Sequence, residues 1–363
     1  MNVREPSAGT TRLHVIYRSY GGENLKPRPA YYSKLLALTS ILRATRTLDV
    51  TPDLLFLNDG PIPAPRLDLM HRHGEVLTVA GGSNRRAYRA ALNLAAERPW
   101  ADDDLIWFAE DDYLYHPDAL RILLAGADAL PGADYFSLYS PDDLAPGGPY
   151  HPASRRPWPP SPDGLGPLTV ADTRWFRARW TTSTFGVRAG ALRQDRRLLR
   201  ACPYAGGAWD QTTCLAVQGQ HPFGWGELLP FSTALPASSW ARIMVRRIVG
   251  TAMNLRSNRR PTRRRALYAA DPLPIWHLET TPGEDPDETA RWARLAERTL
   301  AWAHAHEPSQ LDQPPRVHEN EPIHQDEPIH QDERIHQDGQ HHRSTIKLPT
   351  EASSGGSGRG SGA

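Results

Sequence analysis

The chain has 363 residues, a length that accommodates one large domain or two smaller ones. Its formal net charge of +1 at pH 7 argues against a protein whose main task is to coat nucleic acid. The two cysteines, Cys202 and Cys214, are too few for a disulfide framework and fit a reducing compartment. The first residues lack the apolar core of a signal peptide, and no run reaches the ~18 apolar residues that span a membrane. We therefore expect a soluble, cytoplasmic protein.

Apolar segments that end in polar turns predict the strands of a sheet. Helical spacing of apolar residues over 31–44, and a helix that Ser83 caps and that runs to about Glu97, predict helices between those strands. Continuously apolar strands that alternate with amphipathic helices indicate an α/β fold with a mainly parallel sheet flanked by helices. The predicted strands are 13–17, 53–60, 75–80, 104–109 and 134–140.

The second half of the chain is predicted to be more irregular. A Pro- and Gly-rich loop is expected over 141–167, and helices over 190–200, 207–218 and 285–306. After Pro308 the composition changes to a six-residue repeat, EPIHQD, and then to a Gly- and Ser-rich end. Too few apolar residues remain there to form a core, so we expect a disordered tail.

Three consecutive acids, Glu110, Asp111 and Asp112, follow the fourth predicted strand in the segment FAEDDYLY. Like charges this close repel each other, and their burial is costly unless something compensates them. A turn that projects into solvent is one explanation, and a bound divalent cation is the other. Ligands bind beyond the carboxyl ends of strands in parallel sheets, and Asp59 and the turn 81–83 also follow strands. This common edge favours a ligand site.

The segment FAEDDYLY, in this order of elements, resembles the Asp-x-Asp motif of GT-A-fold glycosyltransferases in its Glu-Asp-Asp form, and the resemblance covers residues 13–240. It implies a metal-dependent enzyme that moves a sugar from a nucleotide-sugar, with a UDP-sugar as the favoured donor, to an acceptor hydroxyl with inversion. It also implies a Mn²⁺ or Mg²⁺ ion that offsets the charge of the nucleotide diphosphate as it leaves. By resemblance, Asp112 is the direct metal ligand, and Glu110 and Asp111 contact the ribose, metal-bound water or the sugar.

The same resemblance suggests further residues of the donor site. Asp59 would receive the nucleobase or ribose, Tyr17 and Arg18 would line the base pocket, and Asn84 and Arg85 would approach the donor. A plain turn carboxylate and a solvated, Arg-rich helix face are the alternatives for Asp59 and for Arg85.

Two more residues carry chemistry if the resemblance holds. Asp210, in the segment GGAWDQTT, would be the general base that deprotonates the acceptor, although it could instead cap a helix. Gln211 departs from the family pattern, in which a second acid often follows. His277, in PIWHLET, would be a late metal ligand, with a structural histidine as the alternative.

These assignments divide the chain into a catalytic domain over 11–240, an Arg-rich and helical extension over 241–307, and the tail over 308–363. The basic stretch 242–265 fits an anionic membrane surface, a phosphorylated acceptor or a solvated face. The predicted partners are thus a nucleotide-sugar and an acceptor that is anionic or lipid-linked, with no nucleic acid. Peripheral contact with the inner face of the membrane is the accompanying hypothesis for localisation.

Two other classes of protein compete with this interpretation. A non-catalytic protein that binds nucleotides or glycans would also carry Trp-rich loops and an acidic turn. A sugar-phosphate nucleotidyltransferase shares this type of sheet, and SAGTTRL resembles its Gly-rich signature, but here the glycine precedes the first strand instead of following it.

Overall fold

A computed structural model describes residues 11–23, 26–144, 168–179, 181–204, 209–223, 237–258, 264–278 and 286–307. All of them belong to one compact unit, Met1–Val317. The helices are α1 (Lys34–Thr45), α2 (Ala64–His73), α3 (Asn84–Glu97), α4 (Ala119–Ala129), α5 (Pro141–Leu144), α6 (Ala189–Ala201), α7 (Trp209–Val217), α8 (Ala237–Asn258) and α9 (Pro286–His306), with a 3₁₀ turn at Cys202–Tyr204. The strands are β1 (Leu13–Tyr20), β2 (Asp53–Asp59), β3 (Glu75–Val79), β4 (Leu105–Glu110), β5 (Tyr113–Tyr115), β6 (Tyr135–Ser137), β7 (Leu168–Val170), β8 (Thr173–Arg177), β9 (Phe185–Arg188), β10 (Leu267–Asp271) and β11 (Ile275–His277).

The central sheet has the strand order β3-β2-β1-β4-β9-β6-β10-β8-β7. Its first four strands are parallel, and β10 is parallel to β6. Strand β9 runs antiparallel between β4 and β6, and β7 and β8 complete a mixed edge. The predicted α/β class is confirmed, with β3, β2, β1 and β4 as a parallel block on one side of the sheet.

Helices cover both faces of the sheet because alternate residues of the strands are apolar on both sides. In β4, Trp107 and Ala109 belong to one core cluster, and Ile106 and Phe108 belong to the other. The first cluster is closed by α1, α4 and α9, and the second by α3, α6 and α7. Burial on both faces explains why these strands are continuously apolar in the sequence.

Local capping fixes the helices that begin at the carboxyl edge of the sheet. The Ser33 hydroxyl accepts a hydrogen bond from the Leu36 N–H at 3.0 Å, and the Ser83 hydroxyl accepts one from the Arg86 N–H at 3.4 Å. The predicted helix after Ser83 is observed over Asn84–Glu97.

Helix α2 and several short strands were not predicted. Strands β5 and β11 form a separate antiparallel ribbon, and β10, which falls in the predicted extension 241–307, is an interior strand of the main sheet. Strands of three to five residues carry too little periodicity to be recognised from the sequence. The domain boundaries themselves stay a prediction, and the tail 308–363 and most of the loop 141–167 lie outside the described residues.

Candidate functional site

The first acid of the triplet is paired with a cation from the neighbouring strand. In the register of β1 and β4, Arg18 lies opposite Glu110, and its Nη2 donates to Glu110 Oε1 at 2.6 Å. Its Nη1 donates to Asn84 Oδ1 at 2.8 Å, and its guanidinium lies 5.4 Å from the centre of the Tyr88 ring. Arg18 is 6% exposed, so this ion pair is largely removed from water. Three predicted site residues are thereby in direct contact.

The second acid, Asp111, is held by the loop that follows β1 and by two cations. Its Oδ2 accepts from the Tyr20 N–H at 2.8 Å, lies 3.2 Å from Lys34 Nζ and lies 3.8 Å from Arg66 Nη1. Burial raises the pKa of the Asp111 carboxyl, and the charge of Lys34 opposes that rise. Lys34 also donates to the carbonyl oxygens of Tyr20 at 2.9 Å and Gly22 at 2.6 Å. The charge of Asp111 is therefore compensated by the protein itself.

Lys34 was not predicted from the sequence, although one local signal was present. Lys34 occupies the first position of α1, where the helix dipole disfavours a cation. Its side chain is 6% exposed, and a buried lysine at a helix N-terminus requires a carboxylate partner.

The third acid, Asp112, is brought next to His277 by the β5–β11 ribbon. The ribbon pairs His277 with Tyr113, and the Leu278 N–H donates to the Asp112 carbonyl oxygen at 2.7 Å. As a result, His277 Nε2 lies 3.3 Å from Asp112 Oδ2, although 165 positions separate the two residues in the chain. The imidazole stacks on the Tyr113 ring with a centroid distance of 4.6 Å, which fixes its orientation.

A carboxylate beside an imidazole offers ligand types that divalent metals accept. Among the described residues, no group of three His, Cys, Asp or Glu side chains could hold a metal ion. A metal ion at Asp112 and His277 would therefore need substrate oxygens and water to complete its coordination shell. Magnesium sites that act on nucleotide phosphates commonly combine one or two carboxylates with substrate phosphates and water.

A small pocket lies close to the acidic turn. Thr182 connects the two, because this pocket residue accepts a hydrogen bond from the Tyr113 hydroxyl at 2.7 Å. The neighbouring Thr184 donates to Glu110 Oε2 at 3.4 Å. Asp210, in the first turn of α7, forms part of the pocket wall. The other lining residues are Tyr88, Tyr135, Thr181, Thr182, Ser183, Phe185, Thr213, Cys214, Val217 and Leu267.

Asp59 ties the end of β2 to the loop that leads into α3. Its Oδ1 accepts from the N–H groups of Gly81 at 2.9 Å and Gly82 at 3.1 Å. A Cβ atom at Gly81 would lie 2.4 Å from Asp59 Oδ2, and Gly82 has a φ of 63°, so the loop needs glycine at both positions. Asp59 thus supports the loop that carries Ser83 and Asn84.

Tyr17 and Arg85, two further predicted site residues, do not contact the carboxylates of the acidic turn. Tyr17 is buried beneath the turn, and Arg85 lies away from it. Tyr17 is 1% exposed, and burial, followed by the charge of Asp111, raises the pKa of its phenol. It forms the floor under the acidic turn. Arg85 points along α3 to Tyr204, with its guanidinium 5.1 Å from the ring centre.

The basic stretch 242–265 divides into two environments. Arg265 is an internal residue, with its Nε 2.7 Å from Asp195 Oδ2 and its Nη1 3.2 Å from Asp134 Oδ1. Helix α8, in contrast, exposes large apolar side chains to solvent. They are Met244 (45% exposed), Val245 (51%), Ile248 (64%) and Leu255 (46%).

Comparisons with known proteins give a fold-level likeness only. No protein-family model and no curated protein matches the chain. Among solved structures, the chain resembles S. aureus TarS 1–349 in complex with UDP, with 13% identity and a TM-score of 0.34 over 57% of this chain and 54% of that chain. It also resembles CMP:2-keto-3-deoxy-manno-octonic acid synthetase complexed with CTP, with 11% identity and a TM-score of 0.35 over 80% of this chain and 100% of that chain.

A third similar structure is glucosyl-3-phosphoglycerate synthase from Mycobacterium tuberculosis in complex with Mn²⁺, UDP and glucosyl-3-phosphoglycerate. The identity is 11% and the TM-score 0.35, over 81% of this chain and 79% of that chain. The chain spans about half the length of TarS 1–349, 54%. Since these TM-scores are low, the likenesses carry no argument about activity, which has to come from the site itself.

Proposed function

We propose that this chain is a GT-A-type glycosyltransferase that moves a sugar from a UDP-sugar to an acceptor hydroxyl with inversion at the anomeric carbon. The observation that carries the proposal is the contact between Asp112 and His277 at 3.3 Å, at the carboxyl end of β4 and beside the pocket that contains Asp210. A sheet edge where a potential metal pair adjoins a pocket with a carboxylate provides both halves of a transfer reaction.

Asp112 and His277 would hold the divalent ion. An imidazole ligand favours Mn²⁺ over Mg²⁺, because Mg²⁺ prefers oxygen ligands. The ion, when bound, supplies a charge that offsets the negative charge of the departing nucleotide diphosphate. Glu110 and Asp111, which Arg18 and Lys34 already neutralise, keep the turn in place for this pair.

The donor would lie along the ends of β1 and β4. Arg18 and Asn84 are fixed against each other at 2.8 Å and would contact the donor, above the floor that Tyr17 forms. Asp59 would act there through the glycine loop that it holds, or through a direct contact with the nucleoside.

Asp210 would be the general base. Its carboxylate would accept the proton of the acceptor hydroxyl while that oxygen forms the new bond to the anomeric carbon and the bond to the diphosphate oxygen breaks. Its place in the pocket wall supports this role, because Thr182 of the same wall accepts a hydrogen bond from Tyr113, the residue that follows the acidic turn.

Calorimetric titration with UDP tests the proposal. We expect binding that requires Mn²⁺ and disappears with EDTA. Asp112→Asn should weaken metal-dependent UDP binding by at least about 100-fold. Loss of a residue that only hydrogen-bonds a metal ligand already costs up to about that much, and loss of the ligand itself should cost more. Asp118→Asn, at an exposed acid that pairs with Arg121, is the matched control and should bind UDP normally. Equal UDP affinity in both variants would contradict the metal assignment.

The two competing classes give different products in one assay. A glycosyltransferase releases UDP from a UDP-sugar, whereas a nucleotidyltransferase releases pyrophosphate from a nucleoside triphosphate and a sugar phosphate. A binding protein turns over neither. Release of pyrophosphate, or nucleotide binding without turnover of any of a panel of UDP-sugars, would exclude the proposed reaction.

We also propose that the outer face of α8 rests on an anionic membrane surface. Its exposed apolar residues recur at helical spacing, as Met244, Ile248 and Leu255 show. Helix α8 carries four arginines and no acid, and its sequence therefore matches an anionic surface better than a second copy of the same helix. Among the helices that the structure describes, none is long and apolar enough to cross a bilayer, so the contact would be peripheral.

A further inference from the structure

Arg85 and Arg89 of α3 form a cationic group with Tyr204, close to Tyr88 in the pocket wall. Arg85 and Arg89, one helical turn apart, place their guanidinium carbons 5.1 Å and 5.4 Å from the centre of the Tyr204 ring. Arg89 Nη1 also donates a hydrogen bond to the Tyr204 hydroxyl. Tyr204 is 39% exposed, so the group is open to a ligand.

The charges of this group are not balanced within the described part of the chain. Neither Arg85 nor Arg89 forms an ion pair with a carboxylate there, and the buried Nε–H of Arg89 finds no hydrogen-bond acceptor there. The first turn of α3 contains no acid, and the positive end of the helix dipole adds to the potential. Two like charges on one aromatic ring repel each other unless an anion lies between or beside them.

The chemistry of the group selects a dianion. Each guanidinium presents a planar fork of N–H donors that matches two oxygens of a phosphate or a carboxylate. Two guanidinium charges are neutralised by one phosphate monoester, whereas a single carboxylate would leave one positive charge uncompensated. The phenol of Tyr204 can add one more polar contact.

The position of the group relates it to the acceptor. Asn84 and Tyr88 lie on the adjacent face of the same turn of α3, where Asn84 contacts Arg18 and Tyr88 lines the pocket with Asp210. An anion bound at Arg85 and Arg89 would therefore lie along the helix from the pocket wall, and the acidic turn reaches the pocket through a different residue, Thr182, which accepts from the Tyr113 hydroxyl.

We propose that Arg85, Arg89 and Tyr204 bind a phosphate monoester group of the acceptor, while the reactive hydroxyl of the same molecule enters the pocket toward Asp210. The identification of the bound molecule as a sugar acceptor rests on the proposed glycosyltransferase function, whereas the phosphate subsite itself does not. Arg85, which the sequence resemblance assigned to the donor, takes part in acceptor recognition instead.

Calorimetric titration with inorganic sulfate, a tetrahedral dianion that does not precipitate Mn²⁺, tests the subsite. The chain offers a matched control in Arg86, which is exposed, neighbours Arg85 and makes no contact with Tyr204 in the described structure. We expect Arg86→Gln to bind sulfate as the unaltered protein does, and Arg85→Gln/Arg89→Gln to bind it at least about tenfold more weakly. Equal melting temperatures of the two variants would establish that both are folded.

Three outcomes would overturn the inference. Equal losses of sulfate affinity in the control and the double variant would indicate a diffuse positive field. Displacement of sulfate by saturating UDP and Mn²⁺ would assign the arginines to the donor. Tighter binding of acetate than of sulfate would exclude a phosphate. Failure of the proposed function is distinguishable, because it appears as absence of UDP binding in the unaltered protein while the sulfate result still stands.

Discussion

The two edges of the parallel block of strands both carry carboxylates with basic partners, yet they are built differently. At the amino edge, His14 lies between two carboxylates, with Nδ1 2.8 Å from Asp53 Oδ2 and Nε2 3.2 Å from Asp104 Oδ2. Its ring, 2% exposed, stacks on Trp100 at a centroid distance of 4.1 Å. Both ring nitrogens have protein partners and the ring is covered, so this edge is a structural junction between β1, β2 and β4.

At the carboxyl edge, each acid of the triplet meets a different partner and the group borders a pocket. Glu110 is held by Arg18, Asp111 by Lys34 and Asp112 by His277. Two of these pairs are salt bridges that fix the turn, and the third joins a carboxylate to a potential metal ligand. The comparison shows that clustered charge alone does not identify a site. An adjoining cavity and a partner that can bind a ligand make the difference.

The largest expected effect comes from Asp210→Asn at the open edge. Loss of the proposed general base should reduce sugar transfer by about 10²–10⁴-fold, while the affinity for UDP in Mn²⁺ stays unchanged. Initial rates with a UDP-sugar and calorimetry with UDP measure the two quantities. Asp172→Asn, at an exposed turn, is the control for loss of one negative charge. A fully active Asp210→Asn variant would remove this residue as the base.

Lys34→Met should affect both stability and binding, because Lys34 supports the acidic turn. Removing it leaves Asp111 buried without its nearest cation, and the free energy of unfolding should fall by about 3 kcal/mol. Adding Asp111→Asn to the same protein should restore most of that loss, since no buried charge then remains unpaired. Urea denaturation of the three proteins decides this. Equal stability of Lys34→Met and the unaltered protein would show that Arg66 alone suffices.

His14→Ala tests the closed edge. The variant loses two hydrogen bonds to carboxylates and the stacking on Trp100, so the free energy of unfolding should fall by about 2 kcal/mol. The affinity for UDP should not change, because no group of this edge reaches the pocket. A variant that retains its stability but binds UDP more weakly would contradict the division between the two edges.

Asp111 also gives a prediction for pH. Its pKa is raised in the folded state, so the folded protein binds this proton more tightly than the unfolded chain does. The contribution to stability is present below the ordinary pKa of an aspartate and is lost as the pH rises through the raised value. Relative to Asp111→Asn, the unaltered protein should therefore be less stable at neutral than at mildly acidic pH in urea denaturation. The opposite trend would mean that Lys34 outweighs burial.

The smallest effect on stability is expected on α8. Ile248→Glu changes a 64% exposed side chain, so the melting temperature should stay the same. The variant should nevertheless no longer sediment with vesicles of phosphatidylglycerol and phosphatidylcholine, because a carboxylate on the apolar face is repelled by an anionic surface. Val50→Glu, at a 62% exposed valine outside α8, should sediment normally. If the unaltered protein were a dimer in the absence of vesicles and Ile248→Glu were a monomer, a second copy of the chain would cover this face instead.

Much of the fold could be predicted from the sequence because its signals are local. Apolar runs marked β1 to β4, Ser83 marked the start of α3, and the acidic triplet marked the end of β4. Short strands such as β9 and β11 could not be recognised, because their pairing partners, and not their own residues, make them strands. The same limit applied to Lys34, whose carboxylate partner is far along the chain.

The sequence by itself determined the α/β class, the existence and order of β1, α1, β2, β3, α3 and β4, and the edge of the sheet at which polar turns gather. Periodicity and turn chemistry act over a few residues, and this range is sufficient for such features. Only the tertiary structure decided which acid meets which partner. The contact of Asp112 with His277 and the approach of Arg85 and Arg89 to Tyr204 join residues that are distant in the chain. Packing on both faces of the sheet and the register of the ribbon bring them together, and no local pattern encodes that distance.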